Sequence, residues 1–131
     1  MPTTILIVDD NQGVRTTLKR ILQKERQFRV VGEAGDGSEA LELARMLSPD
    51  LILMDLAMPR VNGLEATQRI KAERPETKVI IFTRYQEDAY RQAAAQSGAD
   101  AFLPKRTRIP ELLATIRQVV EGGPGKKATS A

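Results

Sequence analysis

The chain has 131 residues, 41% hydrophobic and 28% charged, with a formal net charge of +3, which is the length of one ordinary domain with a sizeable core. It contains no cysteine, histidine or tryptophan, which excludes disulfides, thiolate or imidazole metal ligation, a phosphohistidine donor and imidazole base catalysis. Its basic residues are dispersed apart from Lys126-Lys127, and no aromatic platform accompanies them, so a solvated basic surface is expected, not a nucleic-acid site.

Met1-Pro2-Thr3-Thr4 leads without a basic segment into Ile5-Leu6-Ile7-Val8, an apolar run too short for a signal peptide. No run in the sequence nears the roughly 18 apolar residues of a membrane span, and a cytoplasmic location is expected. The run is short and continuous, as in a strand buried on both faces, and it ends in Asp9-Asp10. Val14, Leu18, Ile21 and Leu22 then recur at helical spacing and predict a helix from about Gln12 to Glu25. Phe28-Arg29-Val30-Val31-Gly32-Glu33-Ala34 predicts a strand that is less uniformly apolar, suited to a sheet edge. Leu41, Ala44 and Leu47 mark a second helix, stopped by Ser48-Pro49.

Leu51-Ile52-Leu53-Met54 predicts a third strand, running into Asp55. Leu64, Thr67 and Ile70 mark a third helix that ends at Arg74-Pro75, and Val79-Ile80-Ile81-Phe82 a strand ending in Thr83. Tyr90, Ala93 and Ala94 predict a weak fourth helix, its Ala-rich face offering little anchoring area, with Gly98 at its C-terminal cap. A fifth strand, Ala101-Phe102-Leu103-Pro104, runs into Lys105. Leu112, Leu113, Ile116, Val119 and Val120 mark the last helix, with Pro110 in its first turn and Ile109 before it as a poor N-cap. From Gly122 onward the Gly/Pro/Lys composition predicts a flexible tail or interdomain linker, giving a domain over 1–121 and a tail over 122–131.

Five strands alternating with five helices call for an α/β fold, a doubly wound parallel sheet with helices on both faces. Ligands in such sheets bind outside the carboxyl ends of the strands. Asp9, Asp10, Asp55, Thr83 and Lys105 all stand at those ends. Three carboxylates gathered there repel one another unless a counter-charge is present. A hard divalent cation relieves this, and oxygen-only donors point to Mg2+ or Mn2+. A carboxylate attacks a phosphoryl group poorly, since both are anionic; a cation and the Lys105 ammonium lower that barrier. Phosphorylating Asp55 adds about one negative charge, to which the Thr83 hydroxyl can respond as a donor.

The acidic pair Asp9-Asp10, the segment Met54-Asp55-Leu56-Ala57-Met58-Pro59 with Gly63, then Thr83, and Phe102 before Lys105, resemble a bacterial two-component response-regulator receiver domain over residues 4–121. The resemblance implies a five-stranded sheet of order 2-1-3-4-5, an arrangement whose general ligand-binding rule is illustrated by a receiver. It implies that Asp55 is the phosphoacceptor. It further implies that Asp9, Asp10, Asp55 and the backbone carbonyl of Ala57 organise Mg2+, that Thr83 and Lys105 bind the phosphoryl oxygens, and that Phe102 is a rotamer-switching aromatic. The implied partner is a sensor histidine kinase. The implied activity is that of a phosphoacceptor promoting its own phosphotransfer and slow self-dephosphorylation, not that of a separate enzyme. The implied output face is formed by the fourth helix, fifth strand and fifth helix. Arg91, Arg106 and Arg108 lie there, suiting an acidic partner or a phosphorylation-dependent homodimer.

The sequence departs from the family pattern at Arg84, where a small residue usually leaves the pocket open. Arg84 is expected to modulate access to Asp55, and Tyr85 to shield an acyl phosphate from water. Arg106, not proline, follows Lys105, and no cis bond is expected there. Together with Val30-Val31-Gly32-Glu33-Ala34-Gly35-Asp36-Gly37, this resembles the subfamily with a C-terminal helix-turn-helix output domain. DNA is then expected as a partner only through such a domain, which this sequence lacks; the chain either stands alone or is truncated in its interdomain linker, and truncation is the favoured expectation. Two alternatives keep the fold or the chemistry alone: a phosphorylation-independent binding module, and an aspartyl-phosphate phosphatase. The second is weakened by Ala57, since such enzymes are expected to place a second carboxylate two residues after the nucleophile.

Overall fold

A computed structural model describes residues 1–58 and 61–129, with side chains described only as far as residue 122. The elements follow in chain order as β1 (Thr3–Val8), α1 (Gln12–Gln23), β2 (Phe28–Ala34), α2 (Gly37–Leu47), β3 (Leu51–Met54), α3 (Gly63–Glu73), β4 (Lys78–Thr83), α4 (Asp88–Gln96), β5 (Ala101–Pro104) and α5 (Ile109–Thr129). The strands form one parallel sheet in the order β2-β1-β3-β4-β5. This is the sheet expected from the sequence, and β2 lies at its edge.

Alternation along the strands divides the core in two. Leu6, Val8, Ile52, Met54, Val79 and Ile81 face one way, onto Ala40, Leu41 and Ala44 of α2, Ala66 and Ile70 of α3, and Ala94 of α4. Ile5, Ile7, Leu51, Leu53, Ile80 and Phe82 face the other way, onto α1 through Leu18 and Leu22 and onto α5 through Leu112, Leu113 and Ile116. Apart from Phe28 and Phe82 the buried core is aliphatic, and each fully buried Leu or Ile contributes about 1.5–3 kcal/mol.

Local chemistry sets the helix ends. Asn11, Asp36 and Asn62 cap α1, α2 and α3, each accepting a backbone N–H three residues on. The C-cap of α2, Ser48, takes a left-handed φ of 47° ahead of Pro49. Gly98 follows the C-cap Ser97 of α4 with φ +97°, a conformation that favours glycine. Helix α4 has no side-chain N-cap bond and buries Ala94 alone, the loosely anchored helix that its Ala-rich face predicts.

Two expectations need correction. Ile109 is the first helical residue of α5, not its N-cap, because the Leu112 N–H already bonds the Arg108 carbonyl at 3.0 Å. The backbone of α5 also continues to Thr129, through the stretch expected to be a tail from residue 122. Lys126, Lys127 and Ala128 favour helix, whereas Gly122, Gly123, Pro124 and Gly125 oppose it, so this continuation runs against local propensity. Among the described residues, no helix is long and apolar enough to cross a membrane.

A candidate metal and phosphoryl site at the carboxyl edge of the sheet

Strand register brings the polar residues together. Val8 of β1 pairs with Met54 of β3, so Asp9 and Asp55 leave adjacent strands side by side. Backbone bonds fix both: the Asp9 N–H donates to the Ala34 carbonyl and the Asp55 N–H to the Val8 carbonyl, each at 3.0 Å. Thr83 ends β4 opposite Pro104 of β5, and the Lys105 N–H donates to the Thr83 carbonyl at 2.8 Å. Four neighbouring strands, β1, β3, β4 and β5, therefore deliver Asp9, Asp10, Asp55, Thr83 and Lys105 to one edge.

Asp9, Asp10 and Asp55 each bring a carboxylate oxygen within 4.8 Å of the others. Asp9 and Asp55 are buried, at 2% and 6% exposure, whereas Asp10 faces solvent. The Lys105 ammonium bridges the buried pair, 2.5 Å from Asp9 Oδ2 and 3.5 Å from Asp55 Oδ2. Asp9 Oδ1 accepts the Asn11 N–H at 2.9 Å, and Asp55 Oδ1 accepts the Leu56 N–H at 2.9 Å. Thr83 is fully buried beside Asp55, and its Oγ1 accepts the Tyr85 N–H at 3.3 Å.

Burial pushes the Asp55 carboxyl above the ordinary range, and the Asp9 charge adds to the rise. Lys105, the Thr83 hydroxyl and the Leu56 N–H act in the opposite direction without overcoming it. Three carboxylates against one ammonium leave a formal deficit equal to the charge of a divalent cation. The donors are all oxygen, and one of the three carboxylates is open to water. This set fits a hard cation that keeps part of its hydration shell.

The remaining residues singled out from the sequence lie around this centre. Ala57 is exposed, two residues beyond Asp55. Arg84 is exposed, and its side chain makes no ion pair or hydrogen bond among the described residues. Tyr85 is half-buried against Tyr90 of α4, ring centroids 5.2 Å apart and tilted by 37°. Phe102 pairs with Ile81 across β4–β5 and packs against the α2–α3–α4 side of the core. The Arg91 guanidinium covers its ring at 4.7 Å, a cation–π contact.

Two supports escape the sequence reading. Gly63 opens α3 against the backbone that carries the acidic site: its N–H donates to the Leu56 carbonyl at 2.9 Å, and a Cβ there would stand 1.9 Å from the Asp55 carbonyl oxygen. The motif contained Gly63 without giving this reason for it. Arg15, in the first turns of α1, belongs to no motif in the sequence, yet its Nη1 donates to the Asp9 carbonyl at 2.6 Å. The available signal was an arginine four residues after the α1 N-cap.

An open 2-1-3-4-5 sheet with this acidic, hydroxyl and ammonium edge defines a class, the flavodoxin-like receiver fold. The chain belongs to the response regulator receiver domain family, whose model matches residues 5–117. It is 40% identical over 118 residues to response regulator GacA of Pseudomonas aeruginosa, covering 90% of this chain and 55% of that protein. It is 38% identical to the transcriptional regulatory protein DegU of Brevibacillus brevis, covering 91% of this chain and 50% of that protein. The chain thus spans about half the length of these curated relatives. A crystal structure of a LuxR-family two-component response regulator from Aurantimonas sp. SI85-9A1 superposes with a TM-score of 0.88 at 31% identity, covering 98% of this chain and 94% of that one.

Proposed function

We propose that this receiver domain accepts a phosphoryl group on Asp55 from a phosphohistidine of a sensor kinase, in a Mg2+-dependent reaction in the cytoplasm. The bond from phosphorus to the donor nitrogen breaks as one forms to an Asp55 oxygen, and the freed imidazole takes up a proton. Asp9, Asp10, Asp55 and the Ala57 carbonyl would hold the cation, whose charge lets two anionic reactants approach. Lys105 offers its ammonium to the phosphoryl oxygens, and Thr83 its hydroxyl. The chain acts as phosphoacceptor, promoting its own transfer and slow self-dephosphorylation.

The observation that carries this reading is the Lys105 ammonium between the buried Asp9 and Asp55 carboxylates, beside the buried Thr83 hydroxyl. After transfer the site holds extra negative charge, and Thr83 moves toward it. Phe102 then repacks and remodels the face made by α4, β5 and α5, where Arg91, Arg106 and Arg108 are exposed. An acidic partner or a second copy of the chain engages that face. An output domain like those of the transcriptional relatives would transmit the change to DNA. Arg84 and Tyr85 tune entry and hydrolysis at the pocket mouth. The phosphatase alternative lacks a second carboxylate, since position 57 is alanine.

Beryllofluoride, a phosphoryl mimic, tests the reading in an amide NMR titration with Mg2+. Thr83, Lys105 and the β5–α5 region shift together in the native protein and stay in place in Asp55→Asn. Equal shifts in both proteins, or none in either, contradict it.

A further inference from the structure

The carboxylates of a metal site must be aimed as well as supplied, and Asp9-Asp10 sit on a short turn between β1 and α1. That turn is held from two sides. The Asp9 N–H is bonded to the Ala34 carbonyl of β2 at 3.0 Å. Its carbonyl accepts Arg15 Nη1 at 2.6 Å, a charge-assisted bond from a side chain only 19% exposed. The other edge of the same guanidinium is fixed, because Arg15 Nε donates to Glu33 Oε1 of β2 at 3.1 Å. Lys19, one turn further along α1, approaches the second Glu33 oxygen at 3.7 Å.

We infer that Arg15, oriented by Glu33, is a positioning residue for the divalent-cation site: it clamps the Asp9 peptide so that the Asp9 and Asp10 carboxylates meet Asp55. This rests on the cation-binding reading above. The planar guanidinium is needed because one group must reach a carbonyl and a carboxylate in different directions, which a lysine point charge does not do. Glu33 offsets the charge of Arg15, so the clamp steadies the turn without placing an unpaired positive charge beside the cation. Partners of this kind, one bond removed from the ligands, typically change metal affinity by about 10–100-fold when removed.

The test is calorimetric titration of Mg2+, with Mn2+ as a second probe, into the native protein, Arg15→Ala, Arg15→Lys and Glu33→Gln, each well below its thermal midpoint. Arg15→Ala is expected to weaken Kd about tenfold, with Arg15→Lys and Glu33→Gln losing a smaller part. A role confined to joining α1 to β2 lowers the melting temperature and leaves Kd alone. Unchanged Kd in Arg15→Ala overturns the inference; if that variant does not fold, unchanged Kd in both Arg15→Lys and Glu33→Gln does so. No binding to the native protein removes the cation-binding reading itself, and this inference with it.

Discussion

Asp55 sits where an aspartate ionises with difficulty. Lost hydration and the neighbouring Asp9 hold its carboxyl above the ordinary range despite Lys105. Between the ordinary aspartate pKa and this raised one, the folded chain binds a proton that the unfolded chain has released. This group's contribution to stability therefore falls as pH rises through that window and is lost above it. Replacing the charge should reverse the loss. Asp55→Asn is expected to melt a few degrees higher than the native protein at neutral pH without divalent ions, the difference fading in acid. Thermal unfolding across a pH series checks this, and an Asn variant that melts lower at neutral pH contradicts it. The acidic and basic members of the site were legible because each ends or follows an apolar strand run. Arg15 was not, since its role depends on Glu33, eighteen residues away on β2.

At the level of elements, the start of α3 is the tightest constraint on the site. A Cβ on Gly63 would stand 1.9 Å from the Asp55 carbonyl oxygen and 2.9 Å from Leu56 Cα, backbone atoms that cannot rotate away. Gly63→Ala is expected to cost about 2 kcal/mol or more in urea unfolding, in the range of overpacked cores. A loss below about 0.5 kcal/mol, the size of an ordinary surface change, contradicts the packing argument. Strands and helix starts were readable because apolar runs, caps and prolines act locally. The α5 terminus was not: its helical continuation to Thr129 passes through Gly122 to Gly125, residues whose local preference is to stop. Helix α4, with Ala94 as its buried anchor and Tyr90 against Tyr85, is the helix least tied to the core and best suited to move.

Across the whole molecule, two apolar half-cores pack on either face of the sheet, and the sheet holds three acids, a hydroxyl and an ammonium at one edge. Phosphoryl capture by the Asp55 side chain is the covalent chemistry proposed for that edge. Intact-mass analysis follows incubation with Mg2+ and a small acyl-phosphate donor, for the native chain and Asp55→Asn in parallel. One added phosphoryl group is expected on the native chain, abolished by a chelator and absent from the variant. No adduct on the native chain, or an equal adduct on both proteins, would contradict it.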